Sequence, residues 1–261
     1  MTPALAPVVS TGAVAFFARH RVLAEVAKSL ACGLQDPDSL PPTDVYMGMH
    51  HFRAPLRRDR ASLLIQTEHL LDQNGSPMWK DRRKFRLFKA LRRFDRVLDL
   101  SECNGPLYRA IPRVLRRNLT LGPHIFPDQR PEHRPGPAPL LFFGALNPRR
   151  NAVLEQLRRH HPVDVLQGVY GTALDSQIAR AAAVVNLHFA NGVYSEYPRV
   201  LQAYLAGKAL VSEQLSRLFT PGHHYILLKD APVSLDHAAE MHARLGAEVA
   251  AHHRLSDLLR G

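Results

Sequence analysis

Between residues 140 and 228, short and mostly apolar runs alternate with stretches of helical pattern, and this alternation limits the possible folds more than any other feature of the chain. Leu140-Leu141-Phe142-Phe143, closed by Gly144, reads as a buried strand. Residues 151–160 follow as a helix, 163–166 as a strand, 176–182 as a helix and 183–189 as a strand. A helix over 198–205, closed by Gly207, leads to strands over 209–211 and 225–228, with helices from Ser234 onward. Strands that are apolar at successive positions need cover on both faces, and strand–helix alternation with short connections supplies it in a parallel α/β sheet. Such sheets bind ligands beyond the carboxyl ends of their strands, where the strand order reverses.

The region before residue 126 reads as alternating helices and short strands: a helix over 14–33, strands over 45–49, 62–67, 97–100 and 119–121, and a basic amphipathic helix over 79–94 with Phe85, Leu87, Phe88 and Leu91 on its apolar face. Residues 126–139 carry five prolines in 14 positions, with charged residues between them and little to bury. That density predicts a semi-rigid spacer. The expected organisation is a basic N-terminal α/β domain over 1–125, a linker over 126–139 and a C-terminal α/β domain over 140–261. Charge divides along the same line. Residues 1–125 hold 20 Lys+Arg against 11 Asp+Glu, and the remainder 14 against 12, within a formal net charge of +11. Either the N-terminal half faces an anionic partner, or its basic helix faces serve solubility alone. Cys32 and Cys103 follow no metal or redox spacing and read as reduced thiols. The 11-residue apolar stretch over 7–17 is too short to span a bilayer and lacks a basic leader, so a cytoplasmic protein is expected, with peripheral contact at the inner membrane face as an extension of that reading.

Three loops leave strand ends with residue types suited to ligands. Gly144-Ala145-Leu146-Asn147-Pro148-Arg149-Arg150 combines a glycine, a helix start and two arginines, which makes either a diphosphate cradle or a capped turn with exposed arginines. Gly168-Val169-Tyr170-Gly171 offers backbone to a flat base, or is an ordinary turn. The third runs from His188 to Arg199. There Glu196 can accept from a sugar or ribose hydroxyl and Arg199 can pair with phosphate. No HExxH, GxSxG, GxxxxGK[ST] or CxxC occurs. Adjacent histidine pairs (50–51, 160–161, 223–224, 252–253) are expected to diverge rather than share an ion, so no metal site is expected.

Several of these strings together resemble a bacterial group of GT-B-like glycosyltransferases, related to group 1 enzymes and to the CgeB-like spore-protein glycosyltransferases. They are Phe143-Gly144-x-Leu146-Asn147-x-Arg149-Arg150, Gly168-Val169-Tyr170-Gly171, Val185-Asn186-Leu187-His188-Phe189, Glu196-x-x-Arg199 and Gly207-Lys208-Ala209-Leu210-Val211-Ser212-Glu213. The likeness is clearest over 140–215 and fainter over 65–70 and 94–101. It implies two Rossmann-like domains in a GT-B arrangement, the N-terminal one reduced, with a nucleotide-sugar as co-substrate and no cofactor or obligatory metal. By the same resemblance Gly144, Asn147, Arg149, Arg150, Tyr170, Gly171, Glu196 and Arg199 are donor-binding residues. Where group 1 enzymes carry a pair of glutamates, this chain has Tyr194 and Gln202.

The expected function is transfer of a sugar from a nucleotide-sugar to an anionic acceptor: a cell-surface glycan or glycolipid precursor, or modified DNA. His50, His51, Glu68 and His188 are the candidate catalytic residues. Arg82, Arg86, Lys89 and Arg93, spaced four, three and four apart, form an anion-binding stripe on one helix face. The alternative is a non-catalytic protein of the same fold that holds nucleic acid or an anionic membrane.

Overall fold

In the computed structural model, which describes residues 6–78, 84–229 and 232–261, Val14-Ala15-Phe16-Phe17 is a strand buried along its whole length. The sequence pattern merged it with the helix that follows. Valine and two adjacent phenylalanines suit a pleated surface better than a helix interior, and the helix begins only at Arg21. The first unit, Met1–Gln129 with His253–Gly261, contains β1 (Val9–Thr11), β2 (Val14–Phe17), α1 (Arg21–Cys32), β3 (Thr43–Met47), β4 (Ala61–Gln66), α2 (Lys84–Arg93), β5 (Arg96–Asp99), α3 (Gly105–Tyr108), α4 (Arg113–Arg116) and β6 (Leu119–Leu121). β1 pairs antiparallel with β2, and β2 to β6 run parallel. These six strands lie side by side in sequence order. No reversal of strand order occurs among them, so this sheet lacks the crevice that a doubly wound order creates.

Ala15, Phe17, Tyr46, Leu64 and Val97 share one face of that sheet with Leu87, Ala90 and Leu91 of α2 and with Phe94 just after it. The inward stripe of α2 thus uses Ala90, whereas Phe88, expected on it, is only half-buried. Of the expected basic stripe, Arg82 lies outside the described residues, as does the side chain of Phe85. Arg86 and Arg93 are exposed and Lys89 is half-buried. Arg93 is held by the Ala54 carbonyl at 2.5 Å, and the Arg86 guanidinium sits 5.9 Å from the centre of the Phe52 ring.

The second unit, Arg130–His252, contains β7 (Leu140–Phe143), α5 (Pro148–Arg158), β8 (Val163–Leu166), α6 (Thr172–Arg180), β9 (Ala183–Asn186), α7 (Tyr197–Leu205), β10 (Ala209–Ser212), β11 (Ile226–Leu227) and α8 (Ala238–Arg244). All its strand pairs are parallel, in the order β11-β10-β9-β7-β8. From β7 the chain moves outward to β8, then returns to lay β9 on the other side. The strand ends of β7 and β9 therefore flank a switch point.

The proline-rich segment is fastened rather than spanning free. Phe126 is buried and exchanges backbone hydrogen bonds with His253 and Leu255. Asp128 accepts from the Gln35 N–H at 2.7 Å and from Ser256 Oγ. These belong to the first unit, so the helix Leu255–Arg260, expected to finish the second domain, packs with the first. Residues 130–139 adhere to the second unit. Arg134 N–H donates to Gly207 O at 2.7 Å, and Ala138 N–H to Arg180 O at 3.0 Å. Lys208, 2% exposed, donates to the carbonyls of Arg134 (2.6 Å) and Ala179 (2.7 Å). Burial of an ammonium needs such partners, and it pulls this lysine below its ordinary pKa.

Candidate active site

Two loops leave the switch point of the second unit. Residues 144–147 follow β7, and 187–196 follow β9. Asn147 joins them. Its side-chain oxygen caps α5 by accepting from Arg150 N–H at 2.8 Å, and its amide nitrogen donates to Phe189 O at 2.7 Å. Asparagine suits this place because it both accepts and donates. The start of α5 offers less to an anion than the sequence implied. Pro148 has no N–H, Arg150 N–H is used by the cap, and Asn151 N–H bonds Asn147 O. The loop compensates, since the N–H groups of Ala145, Leu146 and Asn147 make no hydrogen bond among the described residues.

The three arginines differ sharply in burial. Arg150 is 3% exposed and donates to the carbonyls of Leu187 (2.6 Å) and Ala145 (2.8 Å) and to Glu196 Oε1 (2.6 Å). Burial pulls its pKa below the usual arginine value, and the Glu196 charge opposes that shift. Arg199 is 8% exposed and donates to Phe143 O (3.2 Å), Asn186 Oδ1 (2.8 Å) and Glu196 Oε2 (2.6 Å). Glu196 thus bridges two buried guanidiniums and accepts Phe189 N–H at 2.9 Å. Arg150 and Arg199 tie the loops to the sheet; their fork geometry is filled by protein. Arg149 alone reaches the surface appreciably. It donates to Asn191 Oδ1 (2.9 Å), His188 O (2.9 Å) and both carboxylate oxygens of Glu213. The hydrogen bond to Glu213 raises its pKa further. Burial would raise the Glu213 carboxyl, but Arg149 and the His188 N–H outweigh it, and the group lies below its ordinary value. Three guanidiniums against two carboxylates leave this cluster with one positive charge.

Glu213 was not expected as a site residue, although it directly follows the apolar strand β10 and the strand-end rule reaches it. Tyr170 and Gly171 lie beyond the end of β8, neighbour to β7, where Gly171 (φ 62°) caps α6. A groove of about 590 Å³ runs along α5, lined by Leu157, Arg159, His160 and Lys229 among others, and meets the arginine cluster through Glu213. Gly144 has φ 133°, and a Cβ there would lie 2.9 Å from Arg199 Nη2. Gly144→Ala is therefore expected to cost about 1–3 kcal/mol of stability. A urea midpoint equal to the parent's would show that the loop has slack.

His188 is buried behind the cluster. Its Nδ1 lies 3.0 Å from Gly192 O, so the proton of the neutral ring belongs there, and the ring stacks on Tyr194 at 4.3 Å. Burial lowers its pKa. In the first unit, His50 and His51 follow β3. His51 is fully buried against Tyr46, and burial pushes it down to about 3, so this ring is core and does not meet the expectation of a reactive base. His50 is half-buried, packs edge-on to His20 and is pushed down to about 4 by burial. Glu68 follows β4, its backbone held by Gln66 and Asn104. The buried Asp99, at the end of β5, is pushed up to about 7 by burial against hydrogen bonds from Tyr108, Ser101 and Asn104.

His223 and His224, expected to diverge, converge on Glu248, and among the described residues this is the one His/Cys/Asp/Glu group with metal-ligand spacing. Thr220 N–H donates to His224 Nδ1 at 3.0 Å, which places the ring proton on Nε2, 3.0 Å from Glu248. Arg244 approaches His223 Nδ1 at 3.3 Å with the same effect, and His223 Nε2 lies 2.9 Å from Glu248. Both rings present N–H to the carboxylate, where a cation needs lone pairs.

No family model matches the chain, and no curated protein does. Among solved structures the chain is similar to the GtfA/B complex, at 12% identity and a TM-score of 0.44, covering 82% of this chain and 55% of that one. It is also similar to TarM, at 11% and 0.42, covering 83% and 50%. A third is the S. aureus TarM G117R mutant in complex with Fondaparinux, alpha-GlcNAc-glycerol and UDP, at 10% and 0.42, covering 82% and 51%. These neighbours are GT-B-type glycosyltransferases. The chain spans about half their length, and at such TM-scores the likeness carries no functional weight.

Proposed function

We propose that this protein is a glycosyltransferase of the GT-B kind, binding a nucleotide-sugar at the β7/β9 switch point of the second unit and passing the sugar to an anionic acceptor taken by the basic first unit. One observation carries the reading: a loop with unused N–H groups, residues 145–147, meets the partly exposed Arg149 where the strand order reverses. Loop amides and a guanidinium are the donors that a departing diphosphate needs as its charge develops. Glu213 orients Arg149, while Arg150, Arg199 and Glu196 brace the loops from beneath and do not touch the ligand. Glu196 accordingly leaves the role of ribose ligand for that of a brace. In this scheme no metal is required. For an inverting reaction His50, half-buried where His51 is fully buried, is the first-unit candidate to receive the acceptor proton.

A second reading is a binding protein without catalysis. It is favoured by Tyr194, whose hydroxyl accepts Ala190 N–H at 3.0 Å and is buried where a group 1 enzyme has a glutamate. Thermal shift with a panel of sugar nucleotides, followed by mass spectrometry of products in cell extract, separates the two. A ligand at about 100 times its Kd stabilises by about 2.7 kcal/mol. A shift with turnover selects the transferase; no shift with any sugar nucleotide selects the binder, which holds nucleic acid or an anionic membrane instead. Arg149→Ala is expected to weaken UDP or GDP binding about 10- to 150-fold, the loss of a charge-assisted bond worth about 1.5–3 kcal/mol. Calorimetry checks this, and unchanged affinity would remove Arg149 from the site.

A further inference from the structure

Helices α2 and α4 of the first unit touch, and neither contains a carboxylate. From 84 to 94 the chain holds five Lys+Arg and no Asp or Glu; from 103 to 127 it holds four arginines and none. Arg92, Arg109, Arg113 and Arg117 are exposed, and among the described residues no ion pair engages them. Amid them stands Val114, at 61% the most exposed large apolar side chain among the described residues. At the end of the same edge strand that α4 leads into, Leu121 is 37% exposed.

A surface so rich in unpaired guanidiniums suits a polyanion, and the apolar tip decides which. Nucleic acid would be met by aromatic rings for stacking. Here the nearby rings of Phe94 and Tyr108 are buried, the half-buried Phe88 ring is covered by the Arg92 guanidinium at 5.8 Å, and a branched aliphatic chain projects instead. An aliphatic residue flanked by arginines matches the boundary between lipid headgroups and acyl chains: the guanidiniums pair with phosphates and valine enters the apolar layer. We infer that the α2/α4 face of the first unit docks on an anionic lipid surface through Arg113, Val114 and Arg117, with Arg92 and Arg109 beside them. This stands apart from the proposed donor site and survives its failure.

The test is co-sedimentation of the full chain with vesicles of phosphatidylcholine alone or with 30% phosphatidylglycerol. Binding is expected only to the anionic vesicles and is expected to be lost by 0.5 M salt. Arg113→Glu with Arg117→Glu is expected to lower the partition coefficient at least about tenfold, since each cation near such a surface contributes about a fivefold factor. Arg159→Glu with Arg217→Glu, the same charge change on the second unit, is expected to leave binding within about twofold. Val114→Trp is expected to blue-shift emission relative to the parent on anionic vesicles only. Circular dichroism confirms that each variant folds. Equal loss in both double variants, equal binding to neutral vesicles, an unshifted emission spectrum for Val114→Trp or tighter binding to duplex DNA than to anionic vesicles in parallel assays would each overturn the assignment.

Discussion

Glu196→Ala is expected to lower the stability of the protein by about 3–5 kcal/mol, the cost of leaving buried charge uncompensated. Its two oxygens hold Arg150 and Arg199, both buried, at 2.6 Å. Without that carboxylate two like charges face each other in low dielectric, where the Arg199 charge lowers the tendency of Arg150 to stay charged. Glu196→Gln keeps the shape and one acceptor and is expected to fall between the parent and the alanine variant. Arg149→Ala, by contrast, strands only a half-buried carboxylate that retains the His188 N–H, and its unfolding midpoint is expected near that of the parent. Urea unfolding followed by circular dichroism measures all three. If Glu196→Ala unfolds at the parent's midpoint, the division between a buried brace and an exposed ligand group is wrong.

The proline-rich segment supplies a second large effect. A Cβ at Gly136 would collide with the carbonyl oxygens of Arg180 and Ala181, which are backbone and cannot swing aside. Glycine is required there by the closeness of approach. Gly136→Ala must push the segment away and break the ladder of Ala138 N–H to Arg180 O and Ala182 N–H to Ala138 O. The expected loss is about 2–5 kcal/mol, from overpacking together with two broken hydrogen bonds. Limited proteolysis provides an independent readout: cleavage after Glu132 by a glutamate-specific protease is expected to accelerate in the variant. Equal stability and equal cleavage would show the segment to be the loose spacer that its composition suggests.

That segment illustrates what sequence can and cannot convey. Proline density reports a chain that resists helix and strand, but not whether its carbonyls find partners; the partner, Lys208, lies 74 positions after Arg134. The strands of the second unit were legible because short, mostly apolar runs between helices admit few arrangements. Their order was not, and the order is what makes a switch point. A capped turn after β7 was legible in the residue types of its loop, but that Asn147 is the cap shows only in the structure. The contrast between Arg149 and Arg150 did not, because neighbours on a helix diverge and only the packed loops show which one faces inward. In the first unit, the run Val14–Phe17 passed for helix because period and length alone do not separate a short buried strand from a helical turn.

Residues 253–261 belong with the first unit, which makes the second unit an insertion in the chain's path. Phe126 N–H waits for His253 O, and Leu255 N–H for Phe126 O. During synthesis on the ribosome, the second unit has all its strands available while the first still lacks the segment that pairs with the Phe126 backbone. At about 5–20 residues per second, the 123 residues of the insertion leave that pairing unmade for roughly 6–25 s. The first unit emerges first yet closes last, and in that interval the nascent chain is most exposed to aggregation and to chaperones.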